Sequence, residues 1–180
     1  MELPGPGGLL LIVCFLLQGS VASVDGNVCS FELDFCSWEQ SDQDNLEWHR
    51  TSGPTPTRRG GKILTGPVVD HTLGTDQGFY AYLESSAFTS GAFADLITKD
   101  SYKTTSNLEF WYYMHGQSMG SLTVLVWPEN DPYPAKLDSN LSMWRMDTDM
   151  GDAWRRVAVT INSTGSFSVS DPYKVSDGYA

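Results

Sequence analysis

The chain has 180 residues, of which 22 are acidic and 11 are Lys or Arg, for a formal net charge of −11 at pH 7. Such a surface repels phosphate, which argues against nucleic acid or an anionic membrane as partner and favours cations or basic protein surfaces. The size is that of one ordinary domain, with 41% hydrophobic residues to bury in a core.

The first element is LLLIVCFLL, Leu9 to Leu17. It has the length of a signal-peptide core and is too short to cross a bilayer as a helix. QGSVASVDG follows, with small residues at Ser20 and Ala22 or at Val21 and Ser23. Cleavage near Ala22 or Ser23 leaves a mature chain that starts near Val24. Residues 1–23 are therefore expected to be a signal peptide, 24–27 a short linker and 28–180 one domain. No later stretch is apolar for long enough to form a transmembrane helix, so the expected product is secreted.

Export also resolves the odd count of three cysteines, because Cys14 leaves with the leader and Cys29 and Cys36 remain as a pair. An oxidising compartment joins them, and closing so short a loop stabilises a fold by about 2–3 kcal/mol in the chain-entropy estimate. Zinc is the competing use of two thiols, but His49 alone nearby does not complete its ligand set. Phe31, Phe35 and Trp38 are the apolar anchors of this stapled first strand and the turn after it. Around them lie Glu32, Asp34, Asp42 and Asp44, hard oxygen donors of the kind calcium prefers, with Asp70 able to join from farther along; the alternative is a solvated acidic surface.

Between Arg50 and Phe79 the chain is rich in Gly, Pro and Thr and reads as an extended surface loop, with Arg58 and Arg59 at a solvated tip. FYAYLES and AFADLIT then read as strands. In NLEFWYYM, Leu108, Phe110, Tyr112 and Met114 share one face, with Glu109, Trp111 and Tyr113 opposite. SLTVLVW repeats the alternation through Leu122, Val124 and Val126, and the turn HGQSMG predicts a hairpin between these two runs. RRVAVTI places Val157, Val159 and Ile161 together, and the turn from Asn162 to Gly165 predicts a second short hairpin into FSV. Many short strands between Gly, Pro, Asn and Asp clusters imply an all-β sandwich of two antiparallel sheets. Asn140 and Asn162 each begin a glycosylation sequon, the second in a predicted turn.

CSFE, C-S-W-x-Q, the acidic cluster and W-H-R, followed in order by TGP, DHT, GFYAYLESS, GAFADLIT, LEFWYYMHG and GSLTVLVW, resemble the MAM domain, an extracellular module of meprins, neuropilins and receptor tyrosine phosphatases. The resemblance runs from Cys29 to about Ser168. It implies a jelly-roll-like sandwich that serves adhesion or receptor assembly without catalysis, partnered by extracellular proteins or by a second copy of itself. In some members of that family a cation is held near the amino-terminal segment. The chain departs from the pattern at Asn107, where the family usually has the first cysteine of a second disulfide, and after Phe167, where SVSDPYKVSDGYA replaces the family's final segments. It thus resembles a MAM domain without its last strand or strands, and a sandwich lacking a strand leaves hydrogen-bonding edges and core exposed.

An enzyme finds little support in the residues, since His49, His71 and His115 are scattered and no nucleophile elbow, zinc helix or phosphate loop is present. A calcium-dependent, lectin-like carbohydrate module is the better alternative, with Trp111, Tyr113 and Trp127 as an aromatic face.

Overall fold

The computed structural model describes residues 10–19, 27–55, 66–84, 91–103, 105–116, 120–132 and 139–174. The cleavage positions 20–23 and the Arg58–Arg59 pair lie outside the described residues. The described residues form eleven strands: β1 (Leu10–Gly19), β2 (Asn27–Val28), β3 (Trp38–Gln40), β4 (His49–Ser52), β5 (Phe79–Glu84), β6 (Phe93–Thr98), β7 (Ser106–His115), β8 (Ser121–Pro128), β9 (Ser142–Met146), β10 (Arg155–Ile161) and β11 (Phe167–Lys174). Among the described residues there is one 3-10 turn, Ser139–Leu141, and no α-helix. Among the described residues no helix is long and apolar enough to cross a membrane.

The strands make two antiparallel sheets, one in the order β10-β7-β1-β5-β4 with β2 beside β1, the other β3-β6-β11-β8-β9. The all-β sandwich expected from the strand pattern is therefore present. Alternation explains its core. Leu108, Phe110, Tyr112 and Met114 of β7 are buried and meet Ala81 and Leu83 of β5, Ala94 and Leu96 of β6, Leu122 and Val124 of β8, and Val159 and Ile161 of β10.

Both predicted hairpins are absent. β7 lies in the first sheet and β8 in the second, and β10 and β11 are divided in the same way. The physical reason is that Gly- and Ser-rich connections reverse the chain equally well within a sheet or across the layer between sheets, so turn composition does not select the neighbour. The crossing places Trp127 in the sheet opposite Trp111 and Tyr113, which removes the single aromatic face expected from the sequence.

Two further departures have local causes. Cys29 to Ser37 forms an irregular loop instead of a strand. Its carbonyls are taken by a side chain, since Arg50 donates through Nε to the Phe31 carbonyl at 2.7 Å and through Nη2 to that of Glu32 at 2.9 Å. At the other end, FSV extends to Lys174 through Pro172, although β11 is an inner strand. Its ladder to β6 is continuous across Pro172, whereas its pairing to β8 jumps from Ser170–Leu125 to Tyr173–Leu122. The missing N–H falls in that interruption.

Leu10–Gly19, the segment with the character of a leader, is paired along its whole length with β7 and over Leu10–Val13 with β5. A continuous apolar run serves a secretory leader and an inner strand alike. Cleavage decides whether these residues stay with the chain; the fold shows the position they take when present.

Candidate interaction surface

The disulfide joins Cys29 to Cys36 with Cα atoms 5.7 Å apart. Inside the loop it closes, Phe31 and Cys36 hold left-handed φ angles of 62° and 56°, each costing on the order of 1–2 kcal/mol for a residue with a Cβ. Several contacts offset that cost. Phe31 is buried and meets Phe35 edge to face at 5.9 Å. Arg50, held to the loop carbonyls, lies 4.5 Å over the Phe79 ring, and Lys99 donates to the Cys36 carbonyl at 2.7 Å. Trp38, immediately after the loop, is buried in the core. With its flanks fixed in this way, the loop presents Leu33 to solvent at 88% exposure, an apolar side chain on a rigid tip.

Four of the acidic residues hold backbone, Glu32 and Asp70 both beside the Gly78–Phe79 link. Glu32 Oε1 accepts from the Phe79 amide at 3.1 Å, and Asp34 Oδ1 from the Cys36 amide at 2.6 Å. Asp44 Oδ2 accepts from the Asp95 amide at 2.7 Å. Asp70, buried beneath the 66–78 loop, accepts from the Leu73 amide at 2.6 Å and from the Thr75 amide at 3.1 Å. Asp42 is exposed. Among the described residues no three His, Cys, Asp or Glu side chains form a group that could hold a metal ion. Asp34 and Asp70 accept within their own turns, whereas Glu32 and Asp44 reach backbone 47 and 51 residues away.

The segment carrying Asp42 and Asp44 is clamped by Gln40, whose side-chain amide donates to the Trp48 carbonyl at 2.7 Å and accepts from the Trp48 amide at 3.1 Å. In that setting burial, reinforced by Glu47 and Asp42 and opposed by the Asp95 amide, pushes the Asp44 carboxyl up to about 6. The folded state therefore holds a proton that the unfolded chain releases near pH 4, so this group makes stability fall as pH rises from about 4 to about 6. Asp44→Asn is expected to flatten that part of the profile; melting temperatures at steps across this range check it, and a slope equal to the parent's would contradict the assignment.

The outer face of the first sheet carries a second cluster. His71 stacks on Trp111 with ring centroids 3.8 Å apart, and Trp154 meets His71, Tyr80 and Tyr113 edge to face. Trp154 Nε1 donates to the Val69 carbonyl at 3.2 Å, Tyr80 to the Gly53 carbonyl at 2.5 Å, and the Tyr113 hydroxyl to Asp152. Burial holds both phenols above the usual tyrosine range, helped at Tyr113 by the Asp152 bond, and lowers His71 against the attraction of Asp70. These rings are locked into the 66–78 loop. Sequence reasoning marked the loop by its Gly, Pro and Thr content but missed the joint role of these rings, because the participants are spread from Gly53 to Trp154.

Asn140 lies in the 3-10 turn and Asn162 between β10 and β11, both exposed. Asn107, at the position of the expected cysteine, accepts from the Thr160 hydroxyl of β10 at 2.9 Å, a cross-strand hydrogen bond.

Comparison with known proteins agrees with this architecture. The family model described as MAM domain, meprin/A5/mu, matches residues 29–170. The human MAM domain-containing protein 2 is 32% identical over 133 residues, covering 73% of this chain and 18% of the relative. The MAM domain-containing glycosylphosphatidylinositol anchor protein 1 of Gallus gallus is 31% identical over 163 residues, covering 88% of this chain and 16% of that protein. Thyroid hormone-induced protein B of Xenopus laevis is 31% identical over 137 residues, 75% of this chain and 18% of the relative. The chain thus spans less than a fifth of the length of these relatives.

Proposed function

The chain belongs to the MAM domain family, and from that premise we propose that it is an extracellular adhesion module that works by protein contacts, including contact with a second copy of itself. The observation that carries this reading is the family match over residues 29–170, in a family of extracellular, non-catalytic interaction modules. The rigid loop supports it. An exposed Leu33 held by a disulfide, an Arg clamp and buried neighbours loses little conformational freedom on binding, so more of its contact energy is available to association.

Beads coated with the secreted chain are expected to aggregate. Leu33→Asp is expected to reduce that aggregation at least about tenfold while changing stability by no more than about 0.5 kcal/mol, as for a surface site. Aggregation unaffected by Leu33→Asp would exclude this tip from the contact. Chelator-sensitive binding to a glycan array, lost on Trp111→Ala, would replace protein contact with carbohydrate recognition.

The exposure of Asn140 and Asn162 supports glycan attachment at both sites. Enzymatic deglycosylation of secreted material is expected to lower its mass in two steps, one lost in Asn140→Gln and the other in Asn162→Gln. A parent mass equal to that of the bare polypeptide would refute attachment.

A further inference from the structure

The first sheet is joined through a single strand. In the order β10-β7-β1-β5-β4, among the described residues β1 alone links the pair β10-β7 to the pair β5-β4. Its residues are also those with the composition of a secretory leader. When export removes them, β7 loses a partner along Ser106–His115 and β5 along Ala81–Glu84, leaving a lane one strand wide with unpaired backbone on both sides. We propose that this lane is a strand-acceptor site, filled after processing by an extended apolar segment of another polypeptide. This rests on the export reading of the first residues and not on self-adhesion.

The ladder specifies the occupant. It spans about ten residues and runs antiparallel to both β5 and β7, as Leu10–Gly19 does. Register positions 11, 13, 15 and 17 stand opposite Met114, Tyr112, Phe110 and Leu108, and the first two also opposite Leu83 and Ala81. All six of these neighbours belong to the buried core. A side chain at such a position shares the core face with its partners, so alternate residues of the incoming strand must be apolar and a charge there is excluded. Near the far end, positions 16 and 17 pair with Val28 and Asn27, so β2 limits how far a bound strand can slide.

The test uses the full chain expressed in animal cells and collected from the medium, with its amino terminus read by mass spectrometry. The expected start is near Val24. The probe is a synthetic peptide of residues 10–19 carrying Cys14→Ser and a trilysine tail. It is expected to slow exchange about a hundredfold at those amides of 81–84 and 106–115 that face the lane, whereas the same peptide with Val13→Lys and Phe15→Lys has no effect. Strong protection of these lane-facing amides before the peptide is added, or exchange at them unchanged by it, would overturn the proposal. A secreted chain that retains Leu10–Gly19 would overturn it and the export reading together, whereas bead aggregation without any peptide response would sink the acceptor site alone. If the chain is held inside the cell, co-expression of a secreted carrier bearing the same ten-residue strand is expected to release it; failure to rescue would again overturn the proposal.

Discussion

Trp38→Ala lowers the unfolding free energy by about 3–5 kcal/mol, the range for deleting a buried indole. Trp38 is 2% exposed, opens β3, and packs in the cluster that contains Phe31, Leu96 and Phe110. Its backbone amide donates to the Phe35 carbonyl at 3.0 Å, a bond that alanine keeps, so the loss expected is that of the buried ring. β3 is an edge strand of three residues paired only to β6 in the order of its sheet, so its apolar anchorage rests heavily on the indole. Denaturant titration is expected to show a lower midpoint with an unchanged slope. Met143→Ala, at a side chain 46% exposed, serves as the control and is expected to stay within about 0.5 kcal/mol of the parent. A Trp38→Ala midpoint no lower than that control would mean that the amino-terminal segment is not docked on the core.

Gly78→Ala is expected to cost about 3 kcal/mol, through the loss of hydrogen bonds to a buried charge rather than through backbone strain. A Cβ at residue 78 would fall within the van der Waals radius of the Asp70 carboxyl carbon and oxygens. Asp70 is 1% exposed, and its carboxylate satisfies the amides of Leu73 and Thr75 while its own amide donates to the Thr75 carbonyl at 3.1 Å. Displacing the carboxylate breaks both side-chain bonds and leaves the buried Asp70 oxygens without them. Asp70→Ala is expected to cost a similar amount because it removes the same two bonds. The double variant is then expected to be no worse than either single one, because removing the carboxylate makes room for the new methyl. Additive losses would show that residues 70 and 78 act separately. The loop carries His71 onto Trp111 and offers the Val69 carbonyl to Trp154, so tryptophan fluorescence should change in both single variants.

The three deductions made most directly from neighbouring residues agree with the structure. The alternation in β7 and β10 placed Leu108, Phe110, Tyr112, Met114, Val159 and Ile161 on the core side, where they are buried. The cysteine arithmetic paired Cys29 with Cys36. The ordered blocks from CSFE to GSLTVLVW identified the family that matches residues 29–170. Each of these depends on side-chain period, short-range covalent reach or residue order, all of which are properties of the chain read locally.

Other features required the folded molecule, because they depend on residues far apart in sequence. Turn chemistry did not reveal that β7 and β8, or β10 and β11, belong to opposite sheets, since a reversal costs about the same in either setting. The acidic residues looked like a single cluster in the sequence, but backbone geometry sends Glu32 to Phe79, Asp44 to Asp95 and Asp70 to its own loop. The sequence marked Leu9–Leu17 as the core of a leader, whereas only the fold shows that Leu10–Gly19, when present, is the strand that joins two halves of a sheet. Local sequence determined which segments are strands and which faces are apolar; long-range pairing decided their neighbours, because strand order is settled by the joint burial of surfaces that no single segment contains.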